Sequence, residues 1–228
     1  MRQVLRESAL FVSRRPKVFG PKAASSVLGS VFLVGVASGE LAPQIGALLL
    51  VPLGLVGMFS TLMVASMARS GTDSLSTAAR EAAGSWRNAI KAVVLILLVS
   101  LLLSVPASAG VALYLIEGNV LMAGIGVAVS VLLAAVFSAV SYFLPLTLLE
   151  ENSLRQGVRS SYSGFSSRRR EVWVLVFFSF ALFGLAFAAE GALESLGFAG
   201  FVLGRLASSA VSTYVFVVSP KIYLEEVD

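Results

Sequence analysis

Cysteine and histidine are both absent from the sequence. Without cysteine there is no disulfide framework, no thiol nucleophile and no thiolate metal site. Without histidine the commonest general base and the commonest metal ligand are missing as well. Charge is scarce: 13% of the residues are Asp, Glu, Lys or Arg, against roughly 25% in a soluble domain. So few charges cannot cover a water-facing surface, and most of the chain must therefore face lipid. The acidic residues between the apolar runs, Glu40, Glu117, Glu190 and Glu194, are scattered and read as solvating turns. An intramembrane lipid enzyme would need one of them in a cavity with a strongly perturbed pKa. No glycine-rich phosphate loop precedes a helix, and no zinc-ligand spacing occurs. These absences point away from an enzyme and supply no cofactor and no metal.

What the chain does have is long apolar runs, with a mean hydropathy of +0.89. They cover about Ala23–Ser38, Ile45–Met67, Ile90–Val105, Val120–Leu149, Val172–Ala189 and Phe198–Val218. Crossing ~30 Å of hydrocarbon takes about 20 helical residues, which the shorter runs reach by recruiting their flanks. The expectation is an all-α polytopic membrane protein with six transmembrane helices, in a single integral membrane domain over residues 1–228. The first run follows a basic segment and so has the outline of a signal peptide. That leading segment is long, however, and its pattern recurs before later runs that cannot be signals.

Lysine and arginine are distributed unevenly. Gly39, Glu40 and Pro43, then Glu117 and Gly118, then Glu190, Glu194 and Gly197 form connectors that contain none. All but one of the 17 basic residues lie in the N-terminal segment, the other two connectors and the tail. The positive-inside rule predicts both termini in the cytoplasm of a plasma-membrane protein.

The stretch Ser153–Trp173 reads SLRQGVRSSYSGFSSRRREVW. As a helix it places Leu154, Val158, Tyr162 and Phe165 on one face and Ser, Gln and Arg on the other. That is the pattern of a helix lying in the membrane surface and leading into a span. The N-terminal segment is built alike, with Leu5, Ala9 and Val12 on one side and cations around them. Superposing residues 158–172 on 79–93 and on 5–19 aligns Arg159, Arg80 and Arg6, then Phe165, Trp86 and Val12, then Arg170, Lys91 and Lys17. The chain therefore reads as three repeats, approximately 1–68, 69–149 and 150–228, each an interfacial amphipathic helix followed by a helical hairpin.

Two sets of candidate residues follow. Arg6, Lys17, Arg80, Lys91, Arg159, Arg168, Arg169 and Arg170 are candidates for binding anionic headgroups or a protein partner, at about 1 kcal/mol per cation near the surface. Their division among membrane-adjacent helices argues against nucleic acid. The second set lies within the spans. Small residues recur every fourth position at Gly57, Thr61 and Ala65, at Gly126, Ser130, Ala134 and Ser138, and at Gly200, Gly204, Ser208 and Ser212. Such stripes permit close helix packing, and they make the second helix of each hairpin a candidate inner ring. The hydroxyls of Ser138, Ser141, Ser208, Ser212 and Thr213 alternatively line a polar path. Pro145 is expected to kink its helix, with Ser141 helping to satisfy the freed carbonyl. Arg205 reads as the single ionisable residue well inside a span, expected to snorkel to the headgroups, with Glu190 or Glu194 as candidate partners.

The pattern over residues 142–172 is an aromatic-Pro span end, an acidic pair, a short amphipathic helix and a basic turn. Together with RRPKVFGPKAASSVL (14–28), it resembles a group of uncharacterised prokaryotic six-span proteins, chiefly archaeal. These are related to the membrane domain fused to some glycerophosphodiester phosphodiesterases. The resemblance implies an integral membrane domain of unknown activity; no catalytic domain accompanies it here, and no catalytic residue transfers. The functional expectation is a non-catalytic scaffold, anchor or lipid-binding subunit acting through its basic helices, alone or as a homo-oligomer. The alternative is a small-solute transporter or channel with a Ser/Gly-lined path between spans two, four and six.

Overall fold

A computed structural model describes residues 2–37, 39, 42–193 and 197–224. Among these residues the structure is helical, with no strand. Short helices α1 (Arg2–Arg14), α4 (Leu75–Gly84), α7 (Leu144–Glu150) and α8 (Leu154–Ser167) accompany long ones. The long helices are α2 (Gly20–Ala37), α3 (Pro43–Ser70), α5 (Trp86–Glu117), α6 (Val120–Val140), α9 (Arg169–Leu193) and α10 (Gly197–Leu224). Among the described residues six segments are long and apolar enough to cross a membrane, and each expected run overlaps one of them. The protein is a multi-pass, all-helical membrane protein.

Local chemistry sets the helix ends. Gly71 (φ 64°) and Gly118 (φ 69°) close α3 and α5 in the left-handed conformation that glycine adopts without steric cost. The Ser74 hydroxyl accepts from the Thr77 amide at 3.4 Å, and Asn119 Oδ1 accepts from the Met122 amide at 3.2 Å. Ser153 accepts from the Gln156 amide at 3.3 Å and donates to its side-chain oxygen at 2.7 Å. Each cap satisfies an amide that the first helical turn leaves unpaired.

One short helix precedes each pair of long ones: α1 before α2–α3, α4 before α5–α6, and α8 before α9–α10. The packing of the pairs is unequal. α10 lies against α1, α2, α3 and α9, whereas α6 packs mainly on α5 and more lightly on α9 and α8. The buried core collects at the end of the bundle that carries the short helices. Leu62, Met67, Phe143, Leu146, Leu148, Leu175, Val217 and Ile222 are all buried there. Toward the opposite end Leu101, Leu102, Leu115, Ile116, Val120, Leu121 and Phe187 are exposed, as lipid-facing residues are.

Two local features differ from the sequence reading. Pro145 does not kink a continuous helix. The chain turns at 141–143 and Pro145 begins the separate helix α7, where the missing amide costs nothing. The Ser141 carbonyl accepts from the Leu144 amide at 3.0 Å. In α1 the buried face is Val4, Ser8 and Val12, while Leu5 is half-buried and Ala9 is exposed. The contact with α10 rotates the helix by one residue from the side expected, and Tyr214 donates from α10 to the Leu5 carbonyl at 3.1 Å.

The α5–α6 hairpin is closed by backbone contact. A β-carbon on Gly110 would sit 2.6 Å from the Met122 carbonyl oxygen, and one on Gly126 would strike the Pro106 carbonyl. Pro106 interrupts the α5 ladder, and the next amide, Ala107, donates across to Ser130 Oγ at 3.0 Å. The stripe on α6 thus serves hairpin packing at Gly126 and Ser130. Gly126→Val is expected to destabilise the protein in detergent by about 1–3 kcal/mol, the usual cost of overpacking. Gly124→Ala, at an open position, leaves the melting temperature unchanged, and parallel thermal melts compare the two.

Candidate functional site

The candidate cations of the basic face lie on the short helices α1, α4 and α8, between α1 and α2, and at the starts of α5 and α9. Arg6, Arg80, Lys91, Arg159, Arg169 and Arg170 are exposed, and none is within ion-pair distance of a carboxylate among the described residues. Arg168 is half-buried. Lys17 lies 4.0 Å from Asp73, a solvated pair of little energetic weight. Arg69 behaves differently. Its guanidinium is 2.9 Å from Glu81 and 3.9 Å from Glu150, and Ser66 donates to Glu81 at 2.7 Å. Arg69 therefore ties α3 to α4 and α7.

Helix α8 has a distinctive division of faces. Gly157 and Ser161 are buried, and a β-carbon on Gly164 would meet the Phe143 ring at 3.0 Å. The Ser161 hydroxyl donates to the Val140 carbonyl at 3.0 Å. The helix thus docks on the protein through its small residues. Only the outer part of its apolar stripe is left outside, with Tyr162 52% and Val158 36% exposed, while Leu154 and Phe165 are half-buried against the core. At about 100° per residue, that stripe lies between the docked face and the exposed Arg155 and Arg159. These two arginines border a shallow depression with Ser153 and Gln156. Tyr162, Phe165, Trp173 and Phe177 form a run of ring contacts with centroids 5.7–6.5 Å apart, leading from α8 into α9.

Within the spans the structure singles out a residue that sequence reasoning missed. In sequence Lys22 is the last of the six N-terminal cations, but α2 begins at Gly20 and carries Lys22 in its first turn, into the bundle. It is 8% exposed. Its ammonium donates to Thr61 Oγ1 on α3 and lies 4.4 Å from the centroid of the Phe216 ring on α10. Thr61 is nine residues before the end of its span at Ser70, roughly 13 Å along the helix. The available signal was positional: Pro21 marks a helix start, so the residue after it belongs to the span.

Lys22 borders a cavity of about 380 Å³ shared by α2, α3, α5, α6, α7 and α10. Ser138 and Ser141 line this cavity and also a neighbouring one of about 240 Å³ between α6, α9 and α10. Ser208 and Ser212 line neither: α10 borders both through Phe216. Among the buried hydroxyls of α10, Ser219 donates to the Tyr142 carbonyl at 3.0 Å, and Ser209 and Thr213 each donate at 2.8 Å to the carbonyl four residues back in their own helix. Ser141 does the same to Phe137 at 2.7 Å.

The second intramembrane charge is Arg205. Rather than reaching to headgroups unpaired, its Nε lies 3.0 Å from Glu190 Oε1. The Nε–H direction is poorly aligned for a hydrogen bond, so the contact is chiefly one of charge. Glu190 is not in a turn, because α9 runs on to Leu193 and buries it. Gly204 permits the approach: a β-carbon there would lie 2.8 Å from Glu190 Cγ. Glu194, the other candidate partner, lies outside the described residues.

No family model, no curated protein and no solved structure matches this chain. Glu190→Gln leaves the Arg205 charge uncompensated and is expected to cost about 3 kcal/mol, the low end for breaking a buried pair. Adding Arg205→Met should recover most of that loss, and a double-mutant cycle on detergent unfolding measures the coupling.

Proposed function

We propose that the protein is a non-catalytic component of the plasma membrane whose basic face binds anionic lipid headgroups and so anchors or organises what lies on it. The observation that carries this reading is α8. It turns small residues toward the protein and leaves Val158 and Tyr162 outside with Arg155 and Arg159, which have no carboxylate partner among the described residues. A helix so divided rests with its stripe at the acyl boundary and its arginines at headgroup level. The Tyr162, Phe165 and Trp173 rings fit the same interfacial depth. Asymmetry of charge supports both termini in the cytoplasm, because the Lys and Arg residues other than Arg205 and the inward-turned Lys22 belong to the segments at that face. Recurrence of a short helix carrying arginine before each hairpin supports reading the chain as three related units.

Each arginine at the surface contributes about 1 kcal/mol toward anionic lipid. Replacing Arg155 and Arg159 by glutamine is therefore expected to weaken phosphatidylglycerol retention about thirtyfold and to reduce its salt sensitivity. Retention of phosphatidylcholine should not change. Lipid exchange monitored by native mass spectrometry measures both, and equal loss of the two lipids would sink the reading.

A small-solute transporter is the second reading, and the cavity lined by Thr61, Ser138 and Ser141 between α3, α6 and α10 favours it. It requires water to reach that cavity. Ser138→Cys should then react with a water-soluble thiol reagent several times faster than Ser212→Cys, whose position lines neither cavity. Complete protection of both removes the path.

A further inference from the structure

Lys22 is a cation inside the bundle with no counter-charge. Among the described residues no carboxylate lies within ion-pair distance of its ammonium. Thr61 Oγ1 accepts its hydrogen bond and the Phe216 ring faces it, but neither is an anion. A buried ammonium is costly unless something negative neutralises it, and intramembrane charges of this kind mark ligand or ion sites. The same ammonium borders a cavity of about 380 Å³. The hydroxyl-bearing residues Thr61, Ser138 and Ser141 share that wall with Val93, Ile96 and Leu97.

We propose that this cavity binds the head of a singly charged anionic amphiphile, with Lys22 as its counter-ion. One ammonium balances one negative charge, so a carboxylate or a phosphodiester fits. A doubly charged phosphate monoester leaves half of its charge uncompensated. Val93, Ile96 and Leu97 suit the start of an apolar chain. A small hydrated anion would surrender its water shell to one amine and a few hydroxyls, a poor exchange. The shared chemistry has two sources, a free fatty acid and a phosphodiester lipid. This assignment rests on neither the α8 reading nor passage through the membrane, since its residues are separate and it requires only binding.

The test uses the full chain in detergent, titrated with oleate, phosphatidylglycerol, phosphatidylcholine or chloride and read by native mass spectrometry. Oleate or phosphatidylglycerol is expected to bind one per chain in a manner that Lys22→Met weakens about tenfold or more, as loss of a charge-assisted hydrogen bond implies. Whichever of the two loses more identifies the source. Lys22→Arg retains binding, and Arg155→Gln with Arg159→Gln leaves this Lys22-dependent component intact, which separates it from headgroup contacts at α8. Thr61→Val keeps the charge and weakens binding several-fold, which serves if Lys22→Met does not fold. Unchanged binding in Lys22→Met or Thr61→Val, equal binding of phosphatidylcholine, or Lys22-dependent binding of chloride alone would each overturn the assignment.

Discussion

A polar side chain inside a bilayer has no water to bond, so its partners must come from the protein or from a ligand. Most of the hydroxyls here meet that demand locally. Ser60, Thr61, Ser141, Ser209 and Thr213 each donate to a carbonyl three or four residues back in their own helix. Charged groups have no such local remedy. Arg205 obtains Glu190 because α9 extends far enough to bring it and Gly204 leaves room. Lys22 obtains a hydroxyl and a ring, which orient the ammonium but do not neutralise it. The difference between these two cations is what makes one a structural pair and the other a candidate site.

The bundle is also unequal from end to end. Near the basic face the small helices fill the spaces between spans, and α7 is buried from Leu144 to Leu148. There the Arg69 cluster with Glu81 and Glu150 and the Ser161 bond to Val140 fix the short helices to the long ones. The far ends of α5 and α6 touch chiefly each other, through Gly110 and Gly126. Lipid tails fill the remaining surface without loss, since a leucine is as well solvated by acyl chains as by protein. The ordered lattice of polar contacts at one face therefore presents the cations, while the opposite half is apolar surface of the kind that lipid solvates.

Much of this was readable in the residues. Apolar runs of the length that a bilayer demands set the spans, and the connector at Glu117 and Gly118 is a turn set by backbone requirements that act over a few residues. The exposure of Arg6, Arg80, Lys91, Arg159, Arg169 and Arg170 is likewise local, because a guanidinium or ammonium beside a span seeks water. The apolar stripe of α8 was legible as a pattern, although which side of it meets protein was not. Glycine and serine at 157, 161 and 164 give no hydrophobic signal, yet they are the side that docks.

The sequence alone determined an all-helical, six-span chain with its cations gathered toward one face, because hydropathy and charge act at each residue regardless of its distant neighbours. Tertiary structure alone decided that Lys22 meets Thr61 and Phe216, that Glu190 meets Arg205, and that Ser138 and Ser141 border a cavity while Ser208 and Ser212 do not. Those outcomes depend on the rotation of each helix about its axis. That rotation is fixed by close contacts between residues far apart in sequence, and nothing in a helical period specifies them.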